Sequence, residues 1–233
     1  MTALASLALA TLAFVGSHFL MSHPLRVRLV QALGERGFAL AYSLVALVTF
    51  AWMVLAYGAV NSSAPLWVAP DWWWTVASLI MLLASILLVG SFVGNPAFPH
   101  PGAAERAAKP VAGVFAITRH PMNWSFMLWA LVHISLWGSL RNLIVAAGIL
   151  VLALFGSIGQ DARKRALLGK SWTGWEARTS FVPFGALLAG RAAWRAAAPG
   201  WIILAGGFAL WLAVTSYHAP QASLPGWLAL ARA

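Results

Sequence analysis

The sequence predicts an all-α fold, a polytopic membrane helix bundle of about six transmembrane helices with both termini on the non-cytoplasmic side. Three features lead there. Hydrophobic residues fill 61% of the 233 positions, charged residues fill 9%, and mean hydropathy is +0.81, a balance that a soluble core of ordinary composition cannot hold. The apolar residues come in runs of roughly 17–25, the length that crosses hydrocarbon. The basic residues gather in alternate loops, the pattern that orients membrane proteins.

Taken in order, the first run is Ala3 to Met21. It lacks a positive n-region and carries His18 before a basic loop, so it reads as a retained helix and not as a cleaved signal peptide. Phe38 to Tyr57 and Trp72 to Val93 follow. Met122 to Trp137 and Leu143 to Ile158 are joined only by Gly138, Ser139, Leu140, Arg141 and Asn142, which predicts a tight antiparallel hairpin. Trp201 to Tyr217 is the last run. Trp67, Trp72, Trp73, Trp74, Trp137 and Trp201 fall near the expected ends, where interfacial aromatics belong. Outside the bilayer, Asn95 to Arg119 is rich in Pro, Gly and Ala and reads as a turn-rich loop. Gly159 to Pro199 holds a helix-prone basic stretch, Asp161 to Lys170, and three tryptophans, Trp172, Trp175 and Trp194, suited to the lipid surface. No repeat or low-complexity segment interrupts the chain, so 1–233 reads as a single transmembrane domain.

Charge orients the bundle. Arg26, Arg28, Arg36, Arg106, Lys109, Arg119, Arg163, Lys164, Arg165, Lys170, Arg178, Arg191 and Arg195 lie on one side, against Arg141 and Arg232 on the other. This places both termini outside and, in a bacterium, the chain in the inner membrane. The net charge of +10 is then a topology signal with some attraction to anionic lipid, and does not point to nucleic acid. Absence of cysteine removes disulfides, thiolate haem ligation, iron–sulfur clusters and thiol nucleophiles. The five acids, Glu35, Asp71, Glu105, Asp161 and Glu176, lie in or beside expected loops, so neither a paired-carboxylate site nor a carboxylate metal cage is expected.

Histidine is the remaining chemistry: His18, His23, His100, His120, His133 and His218. His120 and His133 are about 20 Å apart along one helix and on different azimuths, so a pair must come from two helices. His18 and His133 are the histidines inside expected spans. Two imidazoles in an apolar bundle suit a bis-histidine haem b. Their depths agree better if the first helix continues past Pro24 toward Leu29, with Arg26 and Arg28 snorkelling. Arg36 and Arg119 are candidates to pair the haem propionates. The plainer alternative at His18 and His133 is a hydrogen bond to a neighbouring carbonyl or hydroxyl. His120 reads first as a solvated residue at a helix start. His23, His100 and His218 read as structural or solvent-facing.

Gly16-Ser17-His18, Gly34-Glu35-Arg36-Gly37-Phe38, Tyr42-Ser43-Leu44, Leu66-Trp67, Thr118-Arg119-His120-Pro121-Met122 and Leu128-Trp129-Ala130-Leu131-Val132-His133 occur in an order that resembles the NnrU family of bacterial membrane proteins, over about residues 5–190. That family is similar to plant zeta-carotene isomerases. The resemblance implies haem b held by His18 and His133, iron that must be reduced for isomerisation, and a role in activity for His120 without ligation. It also implies an association with denitrification, hence a redox donor or nitrite and nitric oxide reduction machinery as partners, beside membrane lipid and a small hydrophobic substrate. One isomerase histidine has no counterpart near Ala56-Tyr57-Gly58-Ala59. A second resemblance, carried by Arg119-His120-Pro121-Met122, Gln160-Asp161, Trp172-Thr173-Gly174-Trp175-Glu176 and Phe181-Val182-Pro183-Phe184, is to isoprenylcysteine and phospholipid methyltransferases. It implies S-adenosylmethionine near Arg119, His120 and Asp161. Three classes thus stand open: a haem b protein that is isomerase-like or an accessory factor, a methyltransferase, and a non-catalytic membrane scaffold.

Overall fold

A computed structural model of the chain describes residues 1–61, 64–99 and 101–218. Among the described residues it is all-α, apart from one isolated antiparallel bridge between Val68 and Trp137. Helices cover each of the six apolar runs: α1 (Ala3–Ser22), α2 (Arg26–Ala59), α3 (Asp71–Gly90), α6 (Pro121–Leu136), α7 (Leu140–Leu168) and α10 (Trp201–His218). Four of them, α1, α2, α3 and α7, are long and apolar enough to cross a membrane by length and composition. Short helices α4 (Ala103–Ala108), α5 (Val114–Ile117), α8 (Lys170–Arg178) and α9 (Gly185–Leu188), and a 3-10 turn at Trp194–Ala197, occupy the connections.

Thr2 caps α1 by accepting from the Ala5 N–H at 3.2 Å. The expected continuation of this helix past Pro24 does not form. His23 precedes proline and leaves the helical region at φ −121°, ψ −89°, since the Pro ring disfavours α geometry in the residue before it. The chain turns, and α2 begins at Arg26 instead of Phe38. Gly34 breaks α2 at φ 70°, ψ 168°, a conformation essentially reserved for glycine. The Arg26 guanidinium crosses this break to Glu35 at 3.0 Å and lies 4.5 Å from the Phe38 ring centre.

The chain forms two compact units whose boundaries fall within α6 and α7. The first comprises residues 1–69 and 133–156. Leu7, Ala10, Met53 and Ala56 form its buried layer, with Tyr57, Ile144 and Val145 packed against it. The side chain of Thr11 presses on Gly148, where any Cβ would collide, so α1 and α7 pack closely. From that layer α1 and α2 run antiparallel, Phe14 beside Phe50 at 5.8 Å and His18 beside Tyr42 at 5.3 Å between ring centres. The other end is tied by Arg141, which donates to the Val60 carbonyl at 3.1 Å, and by Asn142, whose amide donates to the carbonyls of His133 and Trp137, both at 2.7 Å. Asn142 thereby closes the expected hairpin by satisfying carbonyls that a helix end leaves orphaned.

The second unit comprises residues 70–132 and the chain from Ser157 onward. Its core joins Leu87, Val114, Phe115 and Ile117 to Trp172 and Trp175. Those two tryptophans, expected at the lipid surface, are 0% and 3% exposed; the helix that carries them folds back so that both indoles fill the core, and only Trp194 of the three is exposed. The Arg178 guanidinium donates to the carbonyls of Ala107, Lys109 and Gly174, tying α8 to the end of α4. On α10, Trp211 donates to the Ser78 carbonyl of α3 at 3.0 Å.

Candidate functional site

His18 sits in the last turns of α1, half-buried in the first unit. Its Nδ1 lies 2.7 Å from the Phe14 carbonyl, one helical turn back, and so donates to it. That bond selects the tautomer with a lone pair on Nε2, which makes no hydrogen bond among the described residues. An Nδ1–H to carbonyl bond of this kind is how ligating histidines are oriented and made more basic. The ring lines an open groove of about 370 Å³ between α1 and α2 whose walls are mainly Phe14, Tyr42, Phe50 and aliphatic side chains. The plain alternative, a hydrogen bond to a neighbouring carbonyl, is therefore satisfied at one nitrogen only. Arg36 is exposed and lies on α2 between the Gly34 break and Tyr42, at the His18 end of the groove.

The expected second ligand is His133, on α6. The His133 carbonyl is fixed by Asn142 at the start of α7, and Arg141 beside it reaches Val60 beyond the last turn of α2. Ile144 and Val145 are level with Leu7 and Ala10, while His18 lies two to three turns further along α1. At a rise of about 1.5 Å per residue the His18 backbone stands roughly 15 Å along α1 from the Leu7 layer. His18 offers an Nε2 lone pair, and His133 stands on α6 in the same unit.

A second constellation lies in the second unit. Thr118 is extended and donates from its hydroxyl to the Phe181 carbonyl at 2.8 Å, while the Arg119 N–H donates to the Ser180 carbonyl at 2.8 Å. These bonds pin the strand-like entry to α6, and Pro121 opens that helix where no N–H is needed. Arg119 grips one oxygen of Asp161 through Nε at 2.9 Å and Nη2 at 2.6 Å. His120 Nε2 donates to the other oxygen at 2.9 Å, and Nδ1 lies 3.1 Å from Gln160 Oε1. Glu176 extends the network, 3.8 Å from Arg119 and 2.7 Å from Arg165.

This arrangement corrects three expectations. His120 is not a solvated histidine: its side chain is wholly buried, enclosed by Gln160, Asp161 and Phe181. Asp161 is not a loop acid; it lies inside α7, which runs on past Ile158 to Leu168, and its side chain is 5% exposed. Arg119 is committed to that carboxylate and is not held open for a haem propionate. A cavity of about 20 Å³ lies beside His120, Asn95, Asn123 and Gln160, room for about one water. A nucleotide-sized cofactor needs a pocket of about 300 Å³ or more, so although Arg119, His120 and Asp161 do converge, the cavity beside them does not accommodate S-adenosylmethionine.

His23 caps α1 and stacks with Phe19 at 6.4 Å. His100 lies outside the described residues, as does the side chain of His218 at the end of α10. Among the described residues no group of three or more His, Cys, Asp or Glu could hold a metal ion. Gln160 and Phe14 were not singled out for the roles they take here. The signal for the first is its place beside an acid that follows an apolar run; the second acts through its carbonyl, which no residue type announces.

Comparison with known proteins gives a family and two partial relatives. The model of the NnrU protein family matches residues 6–225. The chloroplastic 15-cis-zeta-carotene isomerases of Zea mays and Arabidopsis thaliana are each 34% identical to this chain, over 80 and 82 residues, covering 34% of this chain in both cases. The chain spans only 22% of the length of these relatives. No solved structure matches it. The chain belongs to the NnrU family.

Proposed function

We propose that this protein is a multi-pass inner-membrane protein, both termini outside, that binds haem b through His18 and His133 and acts as an isomerase-like or accessory redox protein. The observation that carries this reading is the state of His18: Nδ1 is committed to the Phe14 carbonyl, Nε2 makes no hydrogen bond among the described residues, and the ring lines an aromatic-walled groove between two apolar helices. The partial likeness to proteins named 15-cis-zeta-carotene isomerase supports an apolar substrate entering from lipid. Membership of the NnrU family supports the denitrification machinery as a partner, with a redox donor supplying electrons.

Haem bound in this groove would supply one-electron chemistry. The chain's own residues do the rest. Phe14 holds the imidazole in its ligating tautomer, and the aromatic walls exclude water and raise the cost of charge near the ring. Arg36, exposed at the same end, is placed to meet a propionate carboxylate. His120, held between Gln160 and Asp161 beside a water-sized cavity, is a proton-handling group.

Absorption spectra of detergent-purified protein, oxidised and dithionite-reduced, test the reading. A Soret band that disappears in His18→Ala is expected. A colourless wild type after expression with ample haem would sink it.

A further inference from the structure

We infer that the segment from Phe184 to Arg195 is a headgroup-layer anchor: Phe184, Leu188 and Trp194 sit at the acyl boundary, and Arg191 and Arg195 take the phosphate of an anionic phospholipid. The anchor depends on the membrane reading above, and haem plays no part in it.

The segment is fixed at both ends. The Phe184 N–H donates to the Ile117 carbonyl at 2.7 Å, and the Gly113 N–H donates to the Ala196 carbonyl at 2.7 Å, so α9 and the 3-10 turn are each tied to an end of α5. Between these ties the chain doubles back, with the N–H groups of Arg191 and Ala192 both reaching the Ala186 carbonyl. Ala186 and Leu187 are buried, whereas Leu188 is 76% exposed and Trp194 is exposed. Phe184 adopts φ 63°, ψ −4°, a conformation that a bulky residue keeps only where its surroundings impose it. Its ring stacks on Trp194 with centres 6.4 Å apart. The Leu188 N–H donates to the Phe184 carbonyl, one helical turn apart, which puts both side chains on one face. The result is a small outward apolar face of fixed shape.

Two arginines border that face. Arg195 adjoins Trp194, is exposed, and its side chain makes no hydrogen bond or ion pair among the described residues. Arg191 is exposed too, and only its Nη1 is engaged, donating to the carbonyls of Glu176 and Ala177 at 3.4 and 3.2 Å. From Ala177 to Ala233 the sequence holds no Asp or Glu, and Glu176 is taken by Arg165 at 2.7 Å. The complement of this edge is an anion from outside the chain.

An anion alone would meet the arginines and leave Leu188 and Trp194 in water. An anionic amphiphile covers both, with phosphate on the guanidinium groups and acyl chain against the apolar face. Tryptophan beside basic residues is also the composition that settles at the headgroup level. Location agrees: α10 begins at Trp201, and a link of six residues reaches at most about 20 Å. The face is therefore tethered close to the start of an apolar helix.

The test uses the full chain with Leu188→Cys as its only cysteine, labelled with a nitrobenzoxadiazole dye and reconstituted in phosphatidylcholine vesicles containing phosphatidylglycerol. Blue-shifted emission is expected, with doxyl-labelled phosphatidylglycerol quenching it more strongly than doxyl-labelled phosphatidylcholine. Arg191→Gln with Arg195→Gln should leave the blue shift and remove the preference, each arginine accounting for about a fivefold difference. Arg28→Gln with Lys109→Gln removes the same charge elsewhere and should leave the preference intact. Emission of a water-exposed label, a preference that survives loss of both arginines, or one that falls equally in the control pair would overturn the anchor while leaving the membrane reading standing. Protein that fails to float with the vesicles would remove both.

Discussion

Asp161 shows what one carboxylate does when an arginine and a histidine share it. Each of its oxygens has its own partner, Arg119 on one and His120 on the other, and its side chain is 5% exposed. Removing one member of such a buried pair leaves an uncompensated charge and costs about 3–5 kcal/mol. Asp161→Asn is therefore expected to lower the thermal unfolding midpoint of the detergent-solubilised protein sharply. Arg165→Ala removes an ion pair whose arginine is half exposed, and the midpoint should stay where it is, because solvent screens such pairs. If both substitutions behave alike, the cluster is not the buried anchor described. At this scale Arg119-His120-Pro121 and Gln160-Asp161 were visible in the sequence as motifs, yet the burial of His120 was not. A histidine between an arginine and a proline at a helix start has the look of a solvated residue; its enclosure comes from Gln160, Asp161 and Phe181, residues forty and more positions away.

Helices are where the sequence spoke most clearly. Every apolar run became a helix, because lipid leaves the backbone no other way to satisfy its own polar groups. Their ends were less legible. Hydropathy stops at Phe38 and Ile158, but α2 begins at Arg26 and α7 ends at Leu168, since polar turns continue a helix whenever tertiary partners such as Glu35 and His120 hold their side chains. Gly34 marks where α2 bends, and Gly34→Ala should cost about 1–3 kcal/mol through backbone strain alone. A loss of stability without loss of helix content in circular dichroism is the expected outcome. Gly207 is a different case. A Cβ there would sit 2.8 Å from the Ile86 Cα and 3.0 Å from its N, atoms that cannot swing aside. Gly207→Leu should part α10 from α3 and expose the link before Trp201 to protease; unchanged digestion would mean that α10 is held by other contacts.

Over the whole molecule, the absence of native cysteine is an experimental opening. Single cysteines report sidedness without background: Asn61→Cys should react with a membrane-impermeant maleimide in intact spheroplasts, and Lys170→Cys only after lysis. The reverse pattern would invert the proposed orientation. Composition and the lengths of the apolar runs were enough for the all-α chain and its long apolar helices, because both are properties of segments and survive any rearrangement of contacts. The meeting of His18 with Tyr42 was not legible from spacing. Depth depends on which helix ends are tied together, and here Arg141, Asn142 and Val60 decide it, two of them residues of unremarkable type in short connections.

The length of α7 has one more consequence. About 30 Å of hydrocarbon uses roughly 20 residues of a helix, so the distance from Leu140 to Asp161, roughly 32 Å, brings the carboxylate out at the headgroup boundary, and the turn beyond it is tied down by Lys164, which donates to the Phe98 carbonyl. Molecules that dwell at that depth are amphiphiles with the tail in oil and the polar end in the headgroups. A carboxylate at that depth has little bulk water to fall back on, and both oxygens of Asp161 are taken by partners from the protein instead.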